Sequence, residues 1–277
     1  MNVAALQMVS GTDLAANLVR ARALLETAAR DGAELAVLPE YFCLLARHDT
    51  DKLAFQELPG QGPIQDFLAT AARELGLWIV GGTLPMAAAA GTVEPGDLRA
   101  YNSSLAYDPQ GACVARYDKM HLFCFDNGRE RYDEARTLRH GTQPVSFELP
   151  SRDGHRWRIG LSICYDLRFP ELYRAHARAG ADLLLVPSAF THTTGQAHWE
   201  VLLRARAIEN LAYVAAAAQG GRHENGRHTW GQAMLIDPWG RVLAEQAEGE
   251  AVVLAELDIA RLQQYRRQLP ALEHRVL

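Results

Sequence analysis

Cysteine is scarce in this chain, with four residues among 277, and no two of them form a CxxC pair. Few and scattered cysteines are typical of free thiols rather than of a disulfide framework. His121 and Cys124 have the spacing of zinc ligands, but no second pair at ligand spacing completes a tetrahedral site. We therefore predict no metal site. One cysteine could carry chemistry, and we expect the other three to serve packing.

Long hydrophobic runs and long runs of one charge are also missing. No apolar run reaches the roughly 20 residues that cross a bilayer, and the alanine-rich stretch at residues 86–90 is much shorter. The net charge of −5 argues against a nucleic-acid-binding protein. The N-terminus lacks a basic region followed by a signal-like apolar segment. These absences predict a cytoplasmic protein that acts on a small molecule, without a nucleic-acid or membrane partner.

The composition provides enough apolar material for a large core, because 48% of the residues are hydrophobic and 22% are charged. Strand-like and helical patterns alternate along the chain, and no linker divides it, so we predict a single α/β domain over residues 1–277. We predict strands over residues 2–8, 34–38, 77–80, 101–107, 113–117, 156–163, 182–186, 212–218, 232–236 and 251–257. We predict helices from the N-cap Asp13 to Gly32 and over residues 63–76, 170–179, 197–210 and 259–268.

Three further features concern the organisation of the chain. Residues 32–40 (GAELAVLPE) resemble residues 180–188 (GADLLLVPS). This similarity indicates either two related halves within one domain or the common appearance of any buried helix–strand junction, and the residues leave both readings open. The least regular segments are residues 87–99, which we interpret as a surface loop, and residues 125–141, which we interpret as part of a site.

Candidate functional residues follow the ends of predicted strands, where ligands bind in open α/β sheets. Glu40, Lys119 and Cys164 each come directly after such a strand. A thiol is only partly ionised at neutral pH, so a nearby carboxylate can take its proton during attack and return it to a leaving amine. An ammonium can stabilise the oxyanion of the tetrahedral intermediate. This chemistry needs no cofactor. Ser162 is not chosen, because a nucleophile elbow requires glycine where Cys164 stands.

Three segments carry a family resemblance. Residues 38–42 (LPEYF), 117–122 (YDKMHL) and 162–172 (SICYDLRFPEL) resemble, in this order, the three signature segments of the nitrilase superfamily of carbon–nitrogen hydrolases. The resemblance covers essentially the whole chain. It implies a four-layer α-β-β-α sandwich of the nitrilase type. It also implies that Glu40 is the general base, that Lys119 stabilises the oxyanion, and that Cys164 is a nucleophile forming a thioester.

The same resemblance implies supporting residues. The backbone N–H of Tyr165 would be a second oxyanion donor. Residues 132–138 (YDEARTL) resemble a segment that carries another glutamate in many relatives, so Glu134 takes that role and positions the lysine or the substrate. Glu130 competes for this role, and Asp133 is a weaker candidate. Family members are usually dimers through helices that include the one after the cysteine, so we expect a homodimer or higher oligomer, with residues of about 258–277 as a tail that contacts the partner.

The substrate is suggested by segments near the C-terminal half. Residues 187–190 (PSAF), 193–199 (TTGQAHW) and 237–240 (DPWG) are most similar to deaminated-glutathione amidases, and ω-amidases acting on α-ketoglutaramate share much of this pattern. Gln196 stands where many relatives have proline. We therefore expect hydrolysis of the amide bond of a small 2-oxo acid amide, with deaminated glutathione as first candidate. Phe190 and Thr194 are candidate pocket residues, although ordinary loop packing explains them equally well.

Two alternatives remain at this stage. An N-carbamoyl-amine hydrolase would use the same three residues. A catalytically silent relative that binds a partner protein would represent a different class, but such copies usually lose a signature residue, and all three are present here.

Overall fold

The computed structural model describes residues 1–89, 91, 94 and 96–276. Ala90, Thr92, Val93 and Pro95 of the predicted surface loop, and Leu277 at the end of the predicted tail, lie outside the described residues. The helices are α1 (Leu14–Arg30), α2 (Pro63–Leu75), α3 (Pro170–Arg178), α4 (His192–Asn210) and α5 (Ile259–Gln268). None of the helices among the described residues is long and apolar enough to span a membrane.

The strands of the first half are β1 (Asn2–Met8), β2 (Leu35–Val37), β3 (Trp78–Val80), β4 (Leu84–Met86), β5 (Ala100–Tyr107), β6 (Cys113–Asp118), β7 (Cys124–Asp126), β8 (Arg131–Asp133) and β9 (Leu138–Arg139). Those of the second half are β10 (Ser146–Pro150), β11 (Arg156–Leu161), β12 (Leu183–Leu185), β13 (Tyr213–Ala216), β14 (Ala218–Arg222), β15 (His228–Trp230), β16 (Ala233–Ile236), β17 (Val242–Gln246) and β18 (Ala251–Glu256). Short 3₁₀ turns cover Asp51–Phe55, Glu134–Arg136 and Cys164–Arg168.

Two large sheets form the centre of the domain. The first runs in the order β15-β14-β1-β2-β3-β5-β4, with β18 beside β1 and with β6 and β9 beside β5. The second runs in the order β10-β11-β12-β13-β16-β17. Each sheet contains three adjacent parallel strands, β1-β2-β3 in one and β11-β12-β13 in the other. The two similar segments noted in the sequence supply β2 and β12, which are the middle strands of these two sets.

The layering follows from how β1 distributes its side chains, because successive residues of a strand point to opposite faces. Val3 and Ala5 belong to the core that also contains the second sheet, whereas Ala4, Leu6 and Met8 pack in a separate core with α1 and α2. On the far side of the second sheet, α3 and α4 close the larger core. The order of layers is therefore helices, sheet, sheet, helices, as predicted for an α-β-β-α sandwich.

The local signals for the first helices were sufficient to place them. Asp13 caps α1 by accepting a hydrogen bond from the Ala16 N–H at 2.7 Å. Helix α2 begins with Pro63 in its first turn and ends at Gly76, whose φ of 64° is left-handed.

Two predicted elements were wrong in extent. The predicted strand at 212–218 is two strands, because the chain leaves the second sheet after β13 and enters the first sheet as β14. Helix α4 begins at His192 and not at residue 197, since the Thr191 hydroxyl caps it by accepting a hydrogen bond from the Thr194 N–H. Thr194 therefore lies in the first turn of a helix and not in a loop.

Candidate active site

The structure brings the residues predicted from three strand ends to one place. Glu40 follows β2, Lys119 follows β6, and Cys164 follows β11. Strand β6 runs antiparallel to β5, which runs antiparallel to β3, so β6 points in the same direction as β2 and β3. Their carboxyl ends therefore lie at the same edge of the first sheet. Glu40, Lys119 and Cys164 all line one pocket.

The Glu40 carboxylate is held by donors from three different parts of the chain. Its Oε1 accepts hydrogen bonds from Asn102 Nδ2 and from Lys119 Nζ, both at 2.9 Å, and its Oε2 accepts one from the Ala189 N–H at 2.9 Å. Gln219 Nε2 donates to the Glu40 carbonyl oxygen at 3.1 Å. Only 1% of Glu40 is exposed. These contacts fix the carboxylate in a single orientation.

Lys119 is fully buried and lies between two carboxylates. Its Nζ is 2.9 Å from Glu40 Oε1, and 3.0 and 2.9 Å from the two carboxylate oxygens of Glu134. Burial by itself would lower the pKa of Lys119, but the charges of Glu134 and Glu40 outweigh it and raise this pKa well above the usual lysine value. Lys119 is therefore a permanent cation inside the protein.

Glu134 contacts Lys119 through both carboxylate oxygens, and it is the residue that the sequence analysis preferred for this role over Glu130 and Asp133. Besides Lys119, its carboxylate accepts hydrogen bonds from the Tyr41 hydroxyl at 2.9 Å and from the Phe123 N–H at 2.7 Å. Burial opposes its ionisation, but the neighbouring Lys119 lowers the pKa of Glu134. Glu130 is half-buried and bonds Thr193 instead. Asp133 lines the same pocket without a hydrogen bond to Lys119.

Cys164 lies at a sharp turn between β11 and α3. Its φ of 47° is in the left-handed region, where a residue other than glycine is strained. Its N–H donates to the Pro187 carbonyl at 3.0 Å, which ties the turn to the end of β12. Burial, the charge of Glu40 and a hydrogen bond to Glu40 raise the pKa of the Cys164 thiol well above that of a free cysteine, although Lys119 opposes the shift. The resting thiol is therefore neutral and faces a carboxylate.

A further buried carboxylate, that of Asp166, joins the cysteine turn to the lysine segment. Its Oδ2 accepts hydrogen bonds from the Ile163 N–H at 2.8 Å and from the Tyr117 hydroxyl at 2.7 Å. Its Oδ1 accepts from the His121 N–H at 3.0 Å and lies 2.7 Å from His121 Nδ1. Tyr117 and His121 flank Lys119 in sequence. Asp166 thus sets the position of Cys164 relative to Lys119.

The pocket around these residues has about 730 Å³ of empty space, which includes open solvent at its mouth. Tyr165, Phe190 and Thr194, which the sequence suggested, all line it. Phe190 packs against Trp199 with a ring-centroid distance of 4.9 Å, and the Thr194 hydroxyl bonds that of Thr191 at 2.8 Å. Both side chains are buried and fixed in place. The pocket wall is therefore closely packed on this side.

The other cysteines only partly match their predicted packing role. Cys43 is buried, but Cys113 and Cys124 are exposed. The prediction was wrong for these two, because they lie in β6 and β7, whose outer faces are not covered by another layer. Ser162, which was not chosen, is buried and bonds the Leu185 carbonyl at 2.7 Å.

Possible metal ligands were also located among the described residues. His121 is bonded to Asp166, as above. Donor atoms of His192, His228 and Glu248 lie within 4.8 Å of one another. The two imidazole rings stack at a centroid distance of 4.1 Å.

Sequence reasoning missed Asn102 and Tyr41. Asn102 begins the run Asn102-Ser103-Ser104, which is polar inside an otherwise apolar strand and could have indicated a buried polar function. Tyr41 has a φ of 57° and its hydroxyl reaches Glu134. No local pattern predicts either contact, since both partners are distant in sequence.

Comparison with known proteins decides the family. A family model described as carbon–nitrogen hydrolase matches residues 2–267. The chain belongs to the carbon–nitrogen hydrolase family. A deaminated glutathione amidase of Synechocystis sp. is 44% identical and covers 99% of this chain and 97% of the relative. The deaminated glutathione amidase of Homo sapiens is 42% identical, over 99% of this chain and 81% of the relative.

Solved structures agree with this membership. A Saccharomyces cerevisiae protein described as a member of branch 10 of the nitrilase superfamily superimposes with a TM-score of 0.85 and 31% identity, covering all of this chain and 97% of that one. The resemblance found in the sequence, the α/β fold of the nitrilase type and the assignment as a hydrolase of carbon–nitrogen bonds are thereby confirmed.

We predict that Asp166→Asn weakens both the fold and the reactivity of Cys164. The amide nitrogen of Asn would face groups that are themselves donors, and an unsatisfied buried hydrogen bond costs about 1–3 kcal/mol. We expect a lower Tm and slower alkylation of Cys164 by acrylamide, measured by peptide mass spectrometry, with Cys113 and Cys124 as internal references.

Asp182→Asn is the matched control. Asp182 is also a buried carboxylate, and it accepts hydrogen bonds from the Arg158 N–H at 3.1 Å and from Arg266 at 2.9 Å, at the opposite end of β12. It should lower Tm without changing the alkylation rate of Cys164. Equal rates for Cys164 in the two variants would contradict the positioning role of Asp166.

Proposed function

We propose that this carbon–nitrogen hydrolase cleaves the amide bond of a small 2-oxo acid amide, with deaminated glutathione as the leading substrate. The observation that carries the proposal is the 44% identity to a deaminated glutathione amidase over nearly the entire length of both chains. The pocket geometry supports it, because a thiol, a carboxylate and an ammonium surround one space that a small amide can enter.

In the first half of the reaction, Cys164 Sγ attacks the amide carbonyl carbon while Glu40 takes the thiol proton. Since the pKa of Cys164 is raised, the proton must leave during the attack, which requires a base already in contact. Glu40 then gives the proton to the leaving nitrogen as the carbon–nitrogen bond breaks. The products of this half are a thioester on Cys164 and a free amine, which for deaminated glutathione is cysteinylglycine.

The negative oxygen of the tetrahedral intermediate needs donors that are fixed beforehand. Lys119 supplies one as a permanent ammonium, and the backbone N–H of Tyr165 supplies the second. Glu134 keeps Lys119 charged and oriented through its two oxygens. Losing one donor of this kind typically slows a reaction by about 10²–10³-fold.

In the second half, Glu40 takes a proton from water, and the resulting nucleophile attacks the thioester carbon. Collapse of the intermediate releases the 2-oxo acid and returns the proton to the sulfur. The Glu40 carboxylate therefore transfers the proton in both halves of the reaction, and the proposed steps require no cofactor.

Phe190 and Thr194 shape the wall against which the substrate lies. Gln196, which departs from the proline of many relatives, is exposed on α4 and is not among the residues that line the pocket. This departure is thus no obstacle to the assignment.

We further propose a cytoplasmic homodimer formed through α3, with residues of about 258–277 in the interface and residues 1–277 as a single domain. Exposed apolar side chains on the neighbouring helix α4, Val201 and Ile208, support such an interface. A monomer in sedimentation-velocity experiments at micromolar concentration would contradict it.

A substrate panel tests the proposed function. We expect turnover of deaminated glutathione with release of cysteinylglycine, weaker turnover of α-ketoglutaramate, and none of an N-carbamoyl β-amino acid or a simple nitrile. Cys164→Ala should abolish turnover with little change in Tm, because the side chain is small. Preferred hydrolysis of the carbamoyl compound would contradict the proposal, as would a folded wild-type protein that turns over none of the four.

A further inference from the structure

Lysine is used in this chain at only two positions. Of the 28 basic residues, 26 are arginine, and the two lysines are Lys52 and Lys119. Both line the same pocket. Lys119 has a defined place between Glu40 and Glu134, but nothing described above uses Lys52.

The ammonium of Lys52 differs from the other cations of the pocket in its bonding. Lys119 is paired with two carboxylates, and Arg227 is paired with Asp49 at 2.5 Å. Within the part of the chain that the structure describes, Lys52 Nζ makes no hydrogen bond and no ion pair. Its contact is with the face of the Tyr41 ring, 5.2 Å from the ring centroid. Lys52 therefore has hydrogen-bonding capacity left for a ligand.

The charges around the pocket indicate what kind of ligand that is. Four carboxylates line it, from Glu40, Asp49, Asp133 and Glu134. These groups would repel an anionic substrate unless a cation that has no ion-pair partner of its own offset the repulsion. Burial lowers the pKa of Lys52, although Glu134 and Asp49 oppose this shift. An ammonium that is costly to bury gains from a bound carboxylate.

Tyr41 links this cation to the reacting centre. The tyrosine hydroxyl donates to Glu134, which holds Lys119, while the face of its ring carries Lys52. The Tyr41 backbone is itself fixed, since its N–H donates to Thr83 Oγ1 at 2.9 Å. A substrate whose carboxylate and amide lie at opposite ends of a short carbon chain would meet both lysines at once.

We propose that Lys52 binds the carboxylate of the 2-oxo acid part of the substrate and thereby selects acids over neutral amides. This inference rests on the function proposed above and deepens it. Lys52 is a binding residue here, and the acid–base chemistry stays with Glu40.

Kinetics of Lys52→Gln provide the first test. For both α-ketoglutaramate and deaminated glutathione we expect KM to rise about 10- to 100-fold, the range for losing a charge-assisted hydrogen bond, with kcat little changed. Lys52→Arg should recover most of the affinity because it keeps the charge. Arg47→Gln is the matched control: Arg47 is an exposed cation near the pocket, paired with Glu224 and absent from the pocket lining, and its loss should leave KM unchanged.

A second readout does not depend on turnover. Acrylamide is neutral, so it should alkylate Cys164 at the same rate in wild type and in Lys52→Gln. Added 2-oxoglutarate, the acid product, should protect Cys164 from alkylation in wild type and in Lys52→Arg. In Lys52→Gln, the concentration of 2-oxoglutarate needed for the same protection should be at least tenfold higher. Equal Tm values would exclude misfolding as the cause.

The outcomes separate the two proposals. Protection that depends on Lys52, in a protein that turns over no 2-oxo acid amide, would support carboxylate binding by Lys52 and overturn the proposed function. Turnover or protection that is the same in Lys52→Gln and in wild type would overturn carboxylate binding by Lys52. A loss confined to deaminated glutathione, with α-ketoglutaramate unaffected, would also overturn it, because Lys52 would then contact the dipeptide carboxylate. Absence of protection in wild type would contradict it as well.

Discussion

A single buried ammonium organises the candidate site. Lys119 lies at the end of a strand in the first sheet with no exposed surface, and burying an isolated charge there would be prohibitively costly. The two carboxylates that contact it, Glu40 and Glu134, come from different segments, and their side chains are 1% and 13% exposed. Removing the ammonium would leave two carboxylates without a counter-charge, and a buried charge left in this way typically costs about 3–5 kcal/mol. The arrangement therefore constrains where β2, β6 and the 3₁₀ turn at Glu134 can lie.

The same constraint explains the state of the thiol. One oxygen of Glu40 is occupied by Lys119 and Asn102, and the other accepts the Ala189 N–H. A neutral thiol is therefore the form that this environment favours, as the raised pKa of Cys164 indicates. In the mechanism proposed above, the thiol becomes nucleophilic only when a substrate carbon is in position and the proton can pass to Glu40. A thiol held in this way is protected from ionising before a substrate is bound.

Much of this arrangement was predictable from sequence, and the exceptions have physical reasons. Glu40, Lys119 and Cys164 follow strand ends, where ligands bind in α/β sheets, although β2 and β6 lie in the first sheet and β11 in the second. The direction of β6 was not predictable from its own residues, because it depends on pairing with β5. The break between β13 and β14 could not be predicted for a similar reason. An uninterrupted apolar run contains no signal for the sheet that each of its halves joins.

Residues that act through distant partners were the hardest to anticipate. The polar run at Asn102 hints at a buried polar group and Tyr41 looks ordinary in its segment, but the partners of both residues appear only when Glu40 and Glu134 are placed beside them. The exposure of Cys113 and Cys124 likewise depends on which strand faces lack a covering layer. The composition singles out Lys52, because lysine is so rare in this chain. Its position in the pocket, which the proposal uses, is known only from the structure.

The most direct test of this account is the titration of the two lysines by NMR of protein labelled with ¹⁵N at lysine Nζ. With two lysines, the spectrum is simple to assign through Lys52→Arg. Because the pKa of Lys119 is raised and that of Lys52 is lowered, we predict that Lys52 deprotonates first. Lys119 should keep its proton through about pH 10.4, where a free lysine titrates, and Glu134→Gln should lower its pKa. Deprotonation of Lys119 before Lys52, or no response to Glu134→Gln, would contradict a site built on a buried, doubly paired ammonium.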